Sequence, residues 1–127
     1  MKLGFVTYQI GKDWDVQQII EKCQATGFEG AELRTTHAHG VEISLSAEER
    51  STVRKQFEDA GVEIAGLGSS FDYHAVDASA VQESISGTIE YARLAADLPV
   101  FIRQSHAAFD LERIGELTAQ EEQLWTL

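Results

Sequence analysis

The stretch GFEGAELRTTHAHGVE, from Gly27 to Glu42, contains a helix end, a short strand and a polar loop in direct succession. Gly27 stands where a left-handed residue commonly ends a helix. The short segment Gly30 to Arg34 predicts a strand. The loop TTHAHG that follows brings two histidines close in sequence to Glu32 and Arg34. The rest of the fold prediction extends outward from this helix–strand–loop unit.

Further strands are predicted on both sides of this unit. Short segments rich in β-forming residues are LGFVTY (Leu3 to Tyr8), VEIAGLGSS (Val62 to Ser70) and LPVFIRQ (Leu98 to Gln104). Strand starts therefore recur about every thirty residues. This regular spacing leaves room for one helix between each pair of strands.

Between the predicted strands, apolar residues recur at helical spacing, which predicts a helix in each interval. Asp13 or Asp15 is expected to cap the first helix, and SAEE (Ser46 to Glu49) is a capping box that begins the second. A third helix starts near Ser79, and Phe109 to Trp125 is predicted as a fourth. The predicted buried stripes, in chain order, are Val16, Ile19, Ile20 and Cys23; Val53, Phe57 and Ala60; and Val81, Ile85, Ile89, Ala92 and Ala96.

Alternating strands and helices predict an α/β fold with parallel strands and right-handed crossovers. Two architectures fit a single domain over residues 1–127: a small open sheet, or half of a TIM-barrel-like fold with about four βα units. A complete barrel needs ~250 residues, and the chain has 127. In a half-barrel we expect unpaired outer strands and an exposed apolar inward face, which a homodimer would close.

Composition narrows the classes of partner. The chain is 43% hydrophobic and 24% charged, which is typical of a soluble globular protein. Its net charge of -11 argues against binding a nucleic-acid backbone. No apolar run is long enough for a membrane span and no signal peptide is recognisable, so we expect a cytoplasmic protein without a membrane partner. Cys23 is the only cysteine, which excludes an intramolecular disulfide.

Polar residues cluster where ligands bind in parallel α/β folds, after the carboxyl ends of the strands. Glu32 and Arg34 are two residues apart and share a face of their strand. They either bind an anionic or polyol substrate or neutralise each other. His74 follows the third strand beside Asp72 and Tyr73. It is either a hydrogen-bond donor or general acid for a sugar, or a partner within its own loop.

His37 and His39 are weak candidates for metal ligands. A carboxylate from Glu32 or Glu42 would have to complete such a site, and contact with substrate or a structural role are the alternatives. Phosphate-binding loops of the forms GxGxxG and GxxxxGK[ST] are missing from the sequence. Binding of a mononucleotide or dinucleotide is therefore disfavoured. The residues alone assign no catalytic group.

Several segments together resemble the sugar phosphate isomerase/epimerase family of the xylose isomerase-like TIM-barrel superfamily. They are GFVTYQIGKDWD, GFEGAELRTTHAHGVE, GLGSSFDYH and TIEYARLAADL, and the resemblance runs from about Met1 to Leu98. It implies isomerisation or epimerisation of a small sugar or polyol, with a proton moved next to a carbonyl. A divalent metal (Mn, Mg or Zn) would assist this reaction. The resemblance also implies that Glu32, Arg34 and His74 contact the substrate.

The chain departs from the family in two ways. The family's metal ligands come mostly from strands of the second half of the barrel, and residues 99–127 fit the family pattern poorly. Two hypotheses are therefore carried forward. One is an isomerase/epimerase-like protein, and the other is an inactive family member that serves as a self-associating or ligand-binding scaffold. A hydrolytic relative acting on nucleic-acid ends is disfavoured by the net charge of -11.

Overall fold

Four parallel strands alternate with three helices in the computed structural model, which describes residues 1–100 and the backbone of 102–104. The elements in chain order are β1 (Gly4–Val6), α1 (Val16–Thr26), β2 (Gly30–Arg34), α2 (Ala47–Ala60), β3 (Glu63–Ser69), α3 (Ala78–Asp97) and β4 (Ile102–Gln104). The predicted fourth helix, 109–125, lies outside the described residues. Each of the four predicted strands is present, with ends that differ by up to four residues.

The sheet has the strand order β1-β2-β3-β4, and neighbouring strands are all parallel. Gly4 lies opposite Gly30, and Arg34 lies opposite Gly68, with a shift in register between Ala31 and Glu32. A doubly wound sheet would reverse its strand order at a switch point. This sheet instead proceeds in chain order, as a barrel does, so the predicted α/β half-barrel architecture is confirmed.

The helix ends follow the caps predicted from sequence. Asp15 caps α1 and Ser46 caps α2, each in a reciprocal capping box. Gly27 and Gly61 end these helices at φ values of 76° and 68°, in the left-handed region that glycine adopts without steric cost. In the described part of the chain, no helix is long and apolar enough to cross a membrane.

The hydrophobic core lies between one face of the sheet and the helices. Its sheet side includes Ala31, Leu33 and Leu67, and its helix side includes Ile19 and Phe57. Each of these five side chains is at most 2% exposed. Cys23 belongs to the same cluster, and burial raises the pKa of its thiol. Cys23 is therefore a packing residue, as its helical position predicts.

The predicted buried stripe of α3 is wrong from Ile89 onward, whereas Val81 and Ile85 are half-buried. Ile89 is 49% exposed, and Ala92 and Ala96 are also exposed. The helix instead buries Tyr91, Leu94 and Ala95. Tyr91 and Leu94 remove more apolar area from water than Ala92 and Ala96 do, so the helix is rotated toward the larger side chains.

The inward face of the sheet also differs from the prediction. Register places Val6, Glu32 and Arg34 on the face away from the helices, together with Gly66 and Gly68. In the described part of the chain, this face thus combines Val6 with charged side chains and glycines and is not a continuous apolar surface. The expectation of an apolar inward face came from complete barrels, whose interiors are filled by branched apolar side chains.

Gly87 of α3 gives a test of this packing. A Cβ at position 87 would overlap the ring of Phe71, which stacks edge-on against Tyr91 with ring centroids 5.6 Å apart. Helix propensity alone favours Gly87→Ala by about 1 kcal/mol. We expect overpacking to prevail, with a net loss of about 1–3 kcal/mol in the free energy of unfolding, measured by urea denaturation. The exposed Ser86→Ala is the matched control, and stabilisation by Gly87→Ala would contradict this packing.

Candidate functional site

The candidate site lies at the carboxyl ends of β1, β2 and β3. Three loops follow these strands, over residues 7–15, 35–46 and 70–77. In parallel α/β folds these loops meet at one end of the sheet. A cleft with a volume of about 540 Å³ lies instead near the amino end of β3, where Phe57, Ile64 and Leu98 contribute to its lining. Because the polar side chains gather at the opposite end, we place the site there.

Glu32 and Arg34 lie side by side across the inward face of the sheet. Gly68 of the neighbouring strand makes this possible, since a Cβ at position 68 would be 2.6 Å from Cδ of Arg34 and 2.9 Å from Oε1 of Glu32. Oε1 of Glu32 is fully buried. The predicted pairing of these two residues on one face is therefore present, and Gly68 is the residue whose lack of a side chain accommodates it.

Tyr8 adds an aromatic surface to this pair. The guanidinium carbon of Arg34 lies 5.0 Å from the centre of the Tyr8 ring. A cation over an aromatic face is stabilised by the negative charge of the π system. Tyr8 is itself 56% exposed, so the ring and the guanidinium together border the open side of the site.

Thr7 connects β1 to the loop over residues 35–46, which contains His37 and His39 and is called the histidine loop below. Its hydroxyl oxygen accepts a hydrogen bond from the Arg34 backbone N–H at 3.0 Å and lies 3.1 Å from Nδ1 of His37. Because the oxygen already accepts one proton, its own O–H is best placed to donate to Nδ1. This assignment puts the His37 proton on Nε2. Burial, with the positive charge of Arg34, lowers the pKa of His37 and favours the same neutral ring.

His39 has a structural role in this geometry. It is 7% exposed, its Nε2 lies 2.8 Å from the Arg34 carbonyl oxygen, and its Nδ1 accepts from the Val41 N–H at 3.0 Å. Both ring nitrogens are thus engaged by backbone groups, one at the end of β2 and the other in the loop that follows it. Neither is left to bind a metal, so the structural alternative is the one that the geometry favours for His39.

Glu42 anchors the far end of the same loop to α3. One carboxylate oxygen accepts from the Thr36 N–H at 2.5 Å, and the other accepts from the Tyr91 hydroxyl. Burial, followed by the bond to Glu42, raises the pKa of Tyr91 and keeps its hydroxyl protonated. Thr36 has a φ of 64°, which is rare for a β-branched residue. The Glu42 carboxylate therefore helps to hold a strained turn directly after β2.

His74 lies apart from this network. Its side chain is 73% exposed, and Nδ1 is 2.9 Å from the Asp72 carboxylate in the same loop. The Asp72 carboxylate also accepts from the His74 backbone N–H. This geometry matches the alternative in which His74 is a partner within its own loop. Substrate contact by His74 stays a prediction.

The residues that the sequence interpretation missed are Thr7, Glu42 as an anchor, and Tyr91. Thr7 was assigned to the first strand and Tyr91 was left out of the buried stripe. One signal was available: a threonine at the end of a buried strand places a hydroxyl among backbone groups that need partners. The contact between Glu42 and Tyr91 spans 49 residues, and sequence spacing gives no indication of it.

The described residues do not fit the divalent metal that the resemblance implies. Among residues 1–100, no three His, Cys, Asp or Glu side chains are grouped so that they could hold an ion. His39 uses both ring nitrogens, and Nδ1 of His37 lies against Thr7. We therefore assign no chemical step to a metal.

Comparison with known proteins supports the fold. No protein-family model and no curated protein matches the chain. Among solved structures, the chain is similar to the crystal structure of the probable 3-DHS dehydratase AsbF, involved in petrobactin synthesis, from Bacillus anthracis. The TM-score is 0.61 and the identity is 22%, over 82% of this chain and 38% of that protein. The chain thus spans well under half the length of that neighbour, and the likeness concerns the fold alone.

The Thr7 hydroxyl can be tested by an isosteric change. Thr7→Val removes the acceptor for the partly buried Arg34 N–H and the partner of His37 while keeping the volume of the side chain. We expect the free energy of unfolding to fall by about 1–3 kcal/mol, and the ¹⁵N shifts of His37 to show a mixture of tautomers. Thr7→Ser keeps the hydroxyl and is the control. Unchanged stability and ¹⁵N shifts in Thr7→Val would show that the hydroxyl holds neither group.

The burial of His39 makes stability depend on pH. Burial lowers its pKa below the ordinary value of 6.5, although the bond to the Arg34 carbonyl opposes this shift. The unfolded chain therefore takes up a proton that the folded chain does not, and the free energy of unfolding decreases as pH falls from 6.5 toward the folded pKa. We expect His39→Gln to flatten this dependence in urea melts at a series of pH values. Exposed His74→Gln is the control, and equal slopes in both variants would refute the assignment.

Proposed function

We propose that the chain binds a small anionic sugar or polyol at the carboxyl ends of its strands. The observation that carries this proposal is the Glu32–Arg34 pair, which lies across Gly68 with Tyr8 beside it. A guanidinium binds carboxylate or phosphate through paired hydrogen bonds, and a carboxylate accepts from neighbouring hydroxyl groups. The two side chains together are therefore suited to a ligand that combines an anionic group with hydroxyls.

The reaction that we propose for this site is isomerisation or epimerisation, in which a proton moves next to a carbonyl. Two findings support it: the segments that resemble the sugar phosphate isomerase/epimerase family, and the fold shared with a protein described as a probable dehydratase. In this proposal Glu32 is the carboxylate that exchanges the proton, and His37 lies in the adjoining loop. The alternative is a scaffold that binds the same ligand without turning it over.

Ligand binding gives the first test. Sugars, sugar phosphates and sugar acids would be titrated into the chain by isothermal calorimetry. Because hydrogen bonds to charged groups contribute about 1.5–3 kcal/mol, Arg34→Gln and Glu32→Gln should each weaken binding by about tenfold to a hundredfold. Glu63→Gln, at the amino end of the sheet, is the matched control and should bind as the wild type does. Absence of binding across the whole set would refute the proposed ligand class.

A second measurement separates the enzyme from the scaffold. The ligand that binds would be incubated with the chain in D₂O, and ¹H NMR would follow loss of the proton on the carbon next to the carbonyl. Exchange that disappears in Glu32→Gln supports isomerase or epimerase chemistry. Binding without exchange supports the scaffold instead.

A further inference from the structure

The Thr7 hydroxyl joins two parts of the candidate site. Thr7 directly follows β1 and is fully buried. Its oxygen accepts from the Arg34 backbone N–H at 3.0 Å and lies 3.1 Å from Nδ1 of His37. One hydroxyl therefore holds both the residue that carries the guanidinium and the imidazole ring of the histidine loop.

The burial of Thr7 restricts where its hydroxyl proton can go. Within residues 1–100, Nδ1 of His37 is the acceptor that this O–H contacts. A His37 ring protonated on Nδ1 would donate to the same oxygen and leave the buried O–H without an acceptor. Because a buried donor without a partner is costly, we expect that tautomer to be disfavoured by about tenfold to a hundredfold.

Nε2 is the nitrogen of His37 that remains open to a ligand. His37 is half-buried, and in the described part of the chain its Nε2 has no hydrogen-bond partner and is not a buried atom. A neutral imidazole that carries its proton on Nε2 donates there and cannot accept. A ligand group that meets Nε2 must therefore supply a lone pair.

The surroundings of His37 favour the same neutral ring. Burial lowers its pKa, and the positive charges of Arg34 and Lys12 lower it further. The carboxylates of Asp13 and Glu42 act in the opposite direction. An anionic oxygen that approached Nε2 would also be attracted by the two nearby cations, Arg34 and Lys12.

We propose that Thr7 is a positioning residue that fixes His37 as a hydrogen-bond donor to an oxygen of the ligand. The oxygen belongs to a carbonyl, carboxylate or phosphate group. A site built to donate at this point rejects an analogue that lacks the oxygen, because its buried or oriented polar groups are then left unpaired. This inference deepens the proposed function and rests on it for the class of ligand.

The first experiment uses inorganic phosphate as the probe and follows the His37 nitrogens by long-range ¹H–¹⁵N NMR. In the wild type and in Thr7→Ser, the proton should be on Nε2, and phosphate should shift that signal. Thr7→Val should show both tautomers and bind phosphate at least twofold more weakly, since only part of the population is then competent to donate.

A double-mutant cycle tests whether Thr7 acts through His37. In a His37→Phe background, Thr7→Val should cause no further loss of phosphate affinity, because the ring that it positions is absent. An equal loss in both backgrounds would show that Thr7 acts through the Arg34 N–H instead, and this outcome would overturn the proposal.

The wild type alone also decides the question, whichever variants fold. A proton on Nδ1 would overturn the proposal, as would an Nε2 signal that neither phosphate nor fructose 6-phosphate shifts. If phosphate shifts the signal but none of the sugars binds, the proposed sugar ligand fails while the role of Thr7 stands. A sugar whose binding depends on Arg34 but leaves the Nε2 signal unchanged would support the proposed function and refute this inference.

Discussion

The alternation of side chains along β2 is the constraint from which the rest of the molecule follows. Ala31 and Leu33 point toward the helices and are buried in the core, while Glu32 and Arg34 point to the opposite face. A shift of one residue in register would place two charged groups in the core and two apolar groups in the site. The packing that stabilises the sheet therefore also fixes where the charged pair stands.

The histidine loop is held in one conformation by groups from several elements. Thr7 of the first βα loop lies against His37, the Lys12 carbonyl accepts from the Ala38 N–H, and Tyr91 of α3 donates to Glu42. A loop tied at three points loses little further entropy when a ligand binds. This preorganisation distinguishes the loop from the solvated turn that its composition alone would suggest.

Local signals in the sequence predicted the local structure well. The cap at Ser46 and the strand at Gly30–Arg34 were predicted, and Asp15 was one of the two caps considered for α1, because each depends on residues near in sequence. The burial of the second half of α3 was mispredicted because Tyr91 packs against Phe71, which lies twenty residues earlier in the loop after β3.

In the candidate site, as in the fold, the sequence predicted the features that depend on neighbouring residues and missed those that depend on contacts between distant segments. The shared face of Glu32 and Arg34 follows from the two-residue period of a strand. The space over Gly68 does not, because it depends on the pairing of β2 with β3. For the histidines, sequence left open whether the ring nitrogens face a ligand or the backbone. That question is decided by which carbonyl and N–H groups the folded loop brings within reach of each ring.

The homodimer that the sequence predicts would connect association to ligand binding if the second copy covered the inward face with Glu32 and Arg34. With one copy, water reaches Arg34 and Tyr8 from the open side, and the attraction between Arg34 and an anionic ligand is reduced by the high dielectric constant of the solvent. A second copy over this face would exclude part of that water and strengthen the same attraction several-fold. In such a homodimer, ligand affinity and dimer stability would be thermodynamically linked, because a ligand that bound the dimer more tightly than the single chain would also favour association.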